Sequence, residues 1–152
     1  MDDGAEVDRD LVELAEAAVI VPVLPDGSVG LIRNERFAVG EVLFELPAGK
    51  LDGEEPAESA AARELTEETG YVAGRMERLG GFYTSPGAIT EYIHAFLATE
   101  LEEGTQRLEA SERITREPVR PERLAEMIRT GEVHDAKTIA AWSLWQFGGG
   151  AA

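Results

Sequence analysis

Apolar and polar positions change period along the chain, and the changes mark out the elements. Residues 17–24 form an almost unbroken apolar run, the pattern of a strand buried on both faces. Pro25-Asp26-Gly27-Ser28 carries turn chemistry, and the apolar run resumes over 29–33, which predicts the second arm of a hairpin. A polar loop over 34–41 leads to a short strand over 42–46, and an irregular loop with Pro47, Gly49 and Gly53 follows to residue 54. Pro56 suits the first position of a helix, Glu58 its first turn and Gly70 its stop. Gly80-Gly81-Phe82-Tyr83 then leads to a loop at Thr84-Ser85-Pro86-Gly87, and 91–100 alternates as a strand. A charged loop over 101–110 precedes another strand over 111–119. Pro121 opens a helix that ends near Gly131, and 136–147 is a last, apolar helix. Residues 1–10 and 148–152 read as flexible ends. This order of elements predicts an α/β chain: one domain over 1–152, with a mixed sheet packed between helices.

Composition narrows the functional classes. The chain has 152 residues and 43% apolar content, enough for one core. Without cysteine there is no disulfide framework, thiolate metal site or cysteine nucleophile. No apolar run approaches the roughly 20 residues of a membrane helix. The acidic start, Met1-Asp2-Asp3-Gly4, lacks the order of a signal peptide, so a soluble cytoplasmic protein is expected. A net charge of −16 argues against a nucleic-acid partner. An acidic protein that handles a small anion needs a cation between the two. Lys50 and Lys137 are the only lysines, which leaves most cationic work to arginine, a residue suited to bidentate phosphate contacts.

Candidate chemistry gathers on the central helix. Glu64, Glu67 and Glu68 are three and four apart, and at about 100° per residue they share one stripe of its surface. Three carboxylates on one stripe repel one another, and such oxygen-rich clusters suit hard cations such as Mg²⁺ or Mn²⁺. Spacing alone leaves a plain acidic, solvated face equally open. Arg63, four before Glu67, is placed to pair with it. Ala57, Ala60 and Ala61 are small enough for the preceding loop to fold down onto the helix. His94, on a strand, and His134, near a helix start, read as packing or surface residues. Trp142 and Trp145 read as core or interface.

Gly49, Glu55, Arg63-Glu64-Leu65, Glu67-Glu68 and Gly70-Tyr71 fill every fixed position of the pattern G-x5-E-x7-R-E-U-x-E-E-x-G-U. The segment 49–71 thus resembles the Nudix box. The resemblance implies the Nudix fold, an α/β/α sandwich with a mixed central β-sheet, and hydrolysis of a nucleoside diphosphate linked to another moiety. It implies that Glu64 and Glu68 bind two or three Mg²⁺ or Mn²⁺ ions, with Glu67 and the carbonyl of Ala48 as further ligands. Glu55 and Arg63 would orient the loop and the carboxylates, Gly49 would permit a tight turn, and Gly70 would close the helix. The family's general base lies on a later loop, where Glu112 is the first choice and Glu109 the second; a box glutamate such as Glu68 is the other candidate.

Flanking segments resemble the ADP-ribose pyrophosphatase branch. Arg33-Asn34-Glu35-Arg36-Phe37 is similar to its R-Q-Y-R-Y segment, Glu45-Leu46-Pro47-Ala48-Gly49 to E-L-P-A-G, and Asp135-Ala136-Lys137-Thr138 to D-A-K-T. Ser85-Pro86-Gly87 follows the box where that branch carries a proline. The substrate contacts implied are Arg36, Glu45, Ser85, Pro86, Gly87 and Glu91, although Arg36 reads equally as a surface arginine and Glu91 as an edge-strand charge. The branch implies a homodimer with an extra N-terminal sheet, whose place here is taken by residues 7–16. ADP-ribose is the expected substrate. Nucleotide sugars such as GDP-mannose, dinucleoside polyphosphates and oxidised nucleotides are the alternatives, and a non-catalytic nucleotide sensor is the rival from another class.

Overall fold

The computed structural model describes residues 8–148. The expectation of flexible ends at 1–7 and 149–152 lies outside them. In chain order the elements are β1 (Ala17–Pro22), β2 (Val29–Arg36), β3 (Glu41–Glu45), β4 (Ala48–Lys50), α1 (Ala57–Thr69), β5 (Tyr71–Tyr83), β6 (Tyr92–Glu103), β7 (Ile114–Val119), α2 (Pro121–Thr130) and α3 (Ala136–Phe147).

The strands form two sheets, a four-stranded one in the order β4-β1-β6-β5 and a three-stranded one in the order β3-β2-β7. β1 runs parallel to β6, with Ala17 opposite Ile93, and antiparallel to β4. The first sheet is therefore mixed, as expected. β1 is buried at every position because each of its faces meets a helical layer. Ala17, Val19 and Val21 pack in one cluster with Leu124 of α2 and Ala141 and Trp142 of α3. Ala18 and Ile20 pack in the other with Ala60, Ala61 and Leu65 of α1. A strand serving two cores has no polar face to show, which is why its sequence is a run and not an alternation.

Several local expectations need correction. The turn at 25–28 forms, but its arms do not continue as a hairpin: they share one bridge, Val23 with Val29, and then enter different sheets. β1 is claimed on its two edges by β4 and β6 instead. The loop at 47–54 contains the short strand β4, paired with β1. β5 is a long strand where the sequence suggested only a lead-in to a loop. Gly74, Gly80 and Gly81 interrupt its pattern, and a register shift falls between Arg78 and Gly80. The small alanines of α1 let the helix settle onto Ala18 and Ile20, and Leu51 of the preceding loop packs against the same cluster. Ahead of β1, the described residues form an extended arm with a single parallel bridge, Val12 to Ile89, in place of an extra sheet. Among the described residues no helix is long and apolar enough to cross a membrane.

Candidate active site

The site grows from the junction of β3, β4 and α1. Glu45-Leu46-Pro47-Ala48-Gly49 crosses from one sheet to the other, and each residue of it has a separate task. Glu45 is fully buried and accepts two hydrogen bonds from Arg36, Nε at 2.8 Å and Nη2 at 2.6 Å, and another from Lys137 Nζ at 2.5 Å. Leu46 donates its N–H to Thr138 Oγ1 at 2.8 Å, and Pro47 accepts from the Ile20 N–H at 2.9 Å. Ala48 donates its N–H to Glu68 Oε2 at 2.9 Å.

Gly49 has a different reason from the turn expected of it. It lies within β4, and a Cβ there would stand 2.0 Å from the Glu64 carboxyl carbon. The glycine makes room for a carboxylate. Gly70 closes α1 in the left-handed region at φ 76°, as its place in the sequence predicted.

Arg63 is the hub of the loop and helix. Its guanidinium donates to Glu55 Oε2 at 2.9 Å, the Lys50 carbonyl at 3.0 Å, Glu64 Oε1 at 2.7 Å and Glu67 Oε2 at 3.1 Å. Glu55 also accepts from the Asp52 N–H at 3.2 Å, which fixes the loop that precedes the helix. This ion network holds the Glu55 carboxyl below the usual carboxylate range, chiefly through the Arg63 hydrogen bond, and raises Arg63 still further. Glu64 is raised, with burial outweighing its bond to Arg63.

Glu68 is only 3% exposed, and its carboxyl is pushed up to about 8, first by burial and also by the neighbouring charges of Glu64 and Glu112. Among the described residues it forms no ion pair. A buried carboxylate facing like charges, with one backbone N–H to hold it, is a poor arrangement unless a cation joins it. The donor set, carboxylate and carbonyl oxygen, fits a hard divalent cation such as Mg²⁺ or Mn²⁺. Among the described residues no three acidic or histidine side chains already stand in a cation-holding group. Arg63 draws Glu64 and Glu67 onto its own guanidinium.

Two adjoining cavities meet at Arg36, Ala48, Gly49 and Lys50. The acidic one is lined by Glu64, Glu67 and Glu68 together with Arg107, Glu109 and Glu112, so both candidate bases reach the same space. The other is lined by Thr84, Glu91, Ile93, Asp135 and Lys137. Glu91 therefore faces a cavity that adjoins the acidic one. Ser85, Pro86 and Gly87 do not line either cavity; they form an exposed turn, closed by Ala88 and Ile89 N–H bonds to the Ser85 carbonyl. Glu45 lies beneath its cavity, buried by Arg36 and Lys137.

Sequence reasoning singled out no role for Lys137, Arg107 or Gln106. For Lys137 a signal existed, since it is one of two lysines and sits within the D-A-K-T segment. The structure explains that segment: Asp135 caps α3 through the Thr138 N–H at 2.9 Å and binds Lys137 at 3.0 Å, while Thr138 anchors Leu46. Arg107 and Gln106 lie in a charged loop without periodicity and gave no signal. His94 bonds Glu16 at 2.7 Å on a strand, and Trp142 is core, as expected.

A NUDIX domain family model matches residues 14–142. The chain is 38% identical over 141 residues to an ADP-ribose pyrophosphatase of Bacillus subtilis, covering 91% of this chain and 76% of that protein. It is 39% identical over 123 residues to a GDP-mannose pyrophosphatase of Shigella flexneri, covering 74% of this chain and 63% of that protein. A crystal structure of an ADP compounds hydrolase shares the fold, with a TM-score of 0.79 and 23% identity, over 90% of this chain and 75% of the other.

Proposed function

This chain belongs to the Nudix hydrolase family, and we propose that it hydrolyses ADP-ribose to AMP and ribose 5-phosphate with the help of divalent cations. The buried Glu68 carboxyl beside Glu64, with no ion-pair partner among the described residues, is the observation that supports the reaction type. The similarity to a Bacillus ADP-ribose pyrophosphatase over 91% of the chain supports the substrate. Glu64 and Glu68 are the proposed holders of two or three Mg²⁺ or Mn²⁺ ions, with Glu67 and the Ala48 carbonyl beside them. Bound there, such ions offset the charge of the diphosphate and make a water molecule more acidic.

The remaining roles fall to the chain's own groups. Arg63 holds Glu64 and Glu67 in orientation through its bonds to Glu55 and the Lys50 carbonyl. Glu112 accepts the proton of the attacking water; Glu109 is the second choice. Arg36 and Lys137, paired to Glu45, present positive charge at the junction with the second cavity, where the part of the substrate beyond the diphosphate is received. We place this chemistry in one domain that acts on a small nucleotide in the cytoplasm, as a homodimer, with no nucleic-acid or membrane partner.

A GDP-mannose reading is the second one, favoured by the 39% identity to the Shigella protein. Steady-state assays with Mg²⁺ on ADP-ribose, GDP-mannose and a dinucleoside polyphosphate, compared by kcat/KM, separate the readings. Glu68→Gln is expected to lower kcat on ADP-ribose by at least 100-fold, on the order of the loss of a key electrostatic group; a near-native rate at saturating Mg²⁺ would remove Glu68 from the chemistry.

A further inference from the structure

The last turn of any helix leaves carbonyls without intrahelical partners. In α1 two of these belong to the proposed cation-binding glutamates, and the loop after β6 satisfies both. Arg107 donates its N–H to the Glu67 carbonyl at 2.9 Å, and Gln106 Nε2 donates to the Glu68 carbonyl at 2.7 Å. Two residues beyond Glu68, the Gly70 carbonyl accepts the Gly104 N–H at 2.7 Å.

The fit is close enough to require glycine on both sides. A Cβ on Gly70 would stand 2.8 Å from the Gln106 nitrogen, and a Cβ on Gly104 would stand 2.7 Å from the Gly70 carbonyl oxygen. Backbone here presses against backbone, which cannot yield as a flexible side chain can. Gly70 therefore does more than end the helix: it lets the loop pass across the helix end.

The same loop carries Glu109 and Glu112 before it enters β7. Within it, the Glu112 carboxylate accepts the Glu109 N–H at 2.7 Å, and the Glu109 carbonyl accepts the Glu112 N–H at 3.0 Å. These two bonds close 109–112 into one turn but do not set its place against α1, which takes a contact from outside the turn. Gln106 is suited to that, since its amide nitrogen also lies 3.5 Å from the carbonyl of Ile114, the first residue of β7. One side chain thus touches the helix that carries Glu64 and Glu68 and the strand at which the loop ends.

We propose that Gln106 is a positioning residue that registers Glu112 against the carboxylates of α1. It touches neither substrate nor cation and acts through the loop. The inference rests on the reading of Glu112 as the base, and misplacing such a group by about 1 Å can cost on the order of 100-fold in rate.

The test is a double-mutant cycle on the full-length protein, assayed with ADP-ribose and Mg²⁺. Gln106→Met keeps length and packing while removing the amide, and Gln106→Ala is its companion should either variant lose stability; thermal melts identify folded samples. Gln106→Met is expected to lower kcat at least tenfold, with KM and the half-activating Mg²⁺ concentration within about twofold of wild type, an effect confined to one residue's placement. In a Glu112→Gln background, which is slow by itself, the same change is expected to cost less than twofold more. A slow Glu112→Gln enzyme in which Gln106→Met still costs its full factor overturns the role given to Gln106 while leaving Glu112 in place. A Glu112→Gln enzyme at wild-type rate overturns the base assignment itself, and the inference with it. A change in KM or Mg²⁺ requirement with kcat unchanged also overturns it.

Discussion

At the scale of single residues, the carboxylates were legible and their surroundings were not. Glu64, Glu67 and Glu68 announce themselves by helical spacing, because neighbours three and four apart need no knowledge of the fold to be placed together. Arg63 was legible for the same reason. The Glu45–Lys137 pair joins residues 92 apart in sequence, and the room that Gly49 makes for Glu64 belongs to the packing of β4 on α1. No local rule reaches either. Glu68 yields a pH-dependent expectation. Its folded-state pKa of about 8 lies above the usual carboxylate value of 4.5, so between those values the folded chain holds a proton that the unfolded chain has lost. Without divalent cation, stability contributed at this position is present at low pH and is lost as pH rises through that window. A cation that replaces the proton reverses the loss. The rise in Tm on adding Mg²⁺ is therefore expected to grow from pH 5 to pH 8, where ordinary carboxylates would have levelled off by about pH 6. Melting curves at fixed Mg²⁺ across that range check this, and a rise that stays flat above pH 6 would separate Glu68 from cation binding.

At the scale of elements, helices were read more faithfully than strands. The bounds of α3 matched their expectation, and α1 differed only in that Pro56 is its cap and not its first residue. Both are bracketed by residues that act locally: Pro56 and Gly70 for α1, Asp135 for α3. Strand pairing is decided at a distance. The hairpin expected of β1 and β2 had the right turn and the wrong partners, since nothing within 17–33 reveals that β6 will claim one edge of β1 and β4 the other. β5 escaped notice because it is an edge strand with a register shift, largely half-exposed, and so under weak pressure to alternate. The seating of α1 can be tested directly. Ala61 is fully buried against the β1 side of the sheet. Ala61→Leu should cost about 1–3 kcal/mol, the usual penalty of overpacking, and lower activity by lifting the carboxylates from Ala48 and Gly49. Urea titration followed by fluorescence checks the first part, and unchanged midpoints would mean that the helix has slack.

At the scale of the whole molecule, the layers put the chemistry at a seam. The acidic face of α1 and the helix that carries Lys137 pack on opposite faces of β1, and the segment from Glu45 to Gly49 reaches both, through Glu45 to Lys137 and through Ala48 to Glu68. Fold class was legible from element order because a fully apolar central strand demands cover on two faces. Which helix covers which face was not. A chain ending before Ala136 lacks Ala141 and Trp142, so Val19, Val21 and Ile93 would lose their lid while the α1 side stayed intact. Such a fragment is expected to bind an apolar dye and to melt without a sharp transition, whereas the full chain binds none. A cooperative melt of the fragment would show that the α1 side suffices. The double burial of β1 also bears on how the molecule comes into being. Ala17 waits for Ile93 as its neighbour and for α3 as its roof, so during translation one edge and one face of this apolar segment emerge long before they are covered. Biosynthesis of this enzyme is therefore exposed to aggregation until its final helix has been made, and yield in cells should depend on the pace of elongation and on chaperones that hold nascent chains.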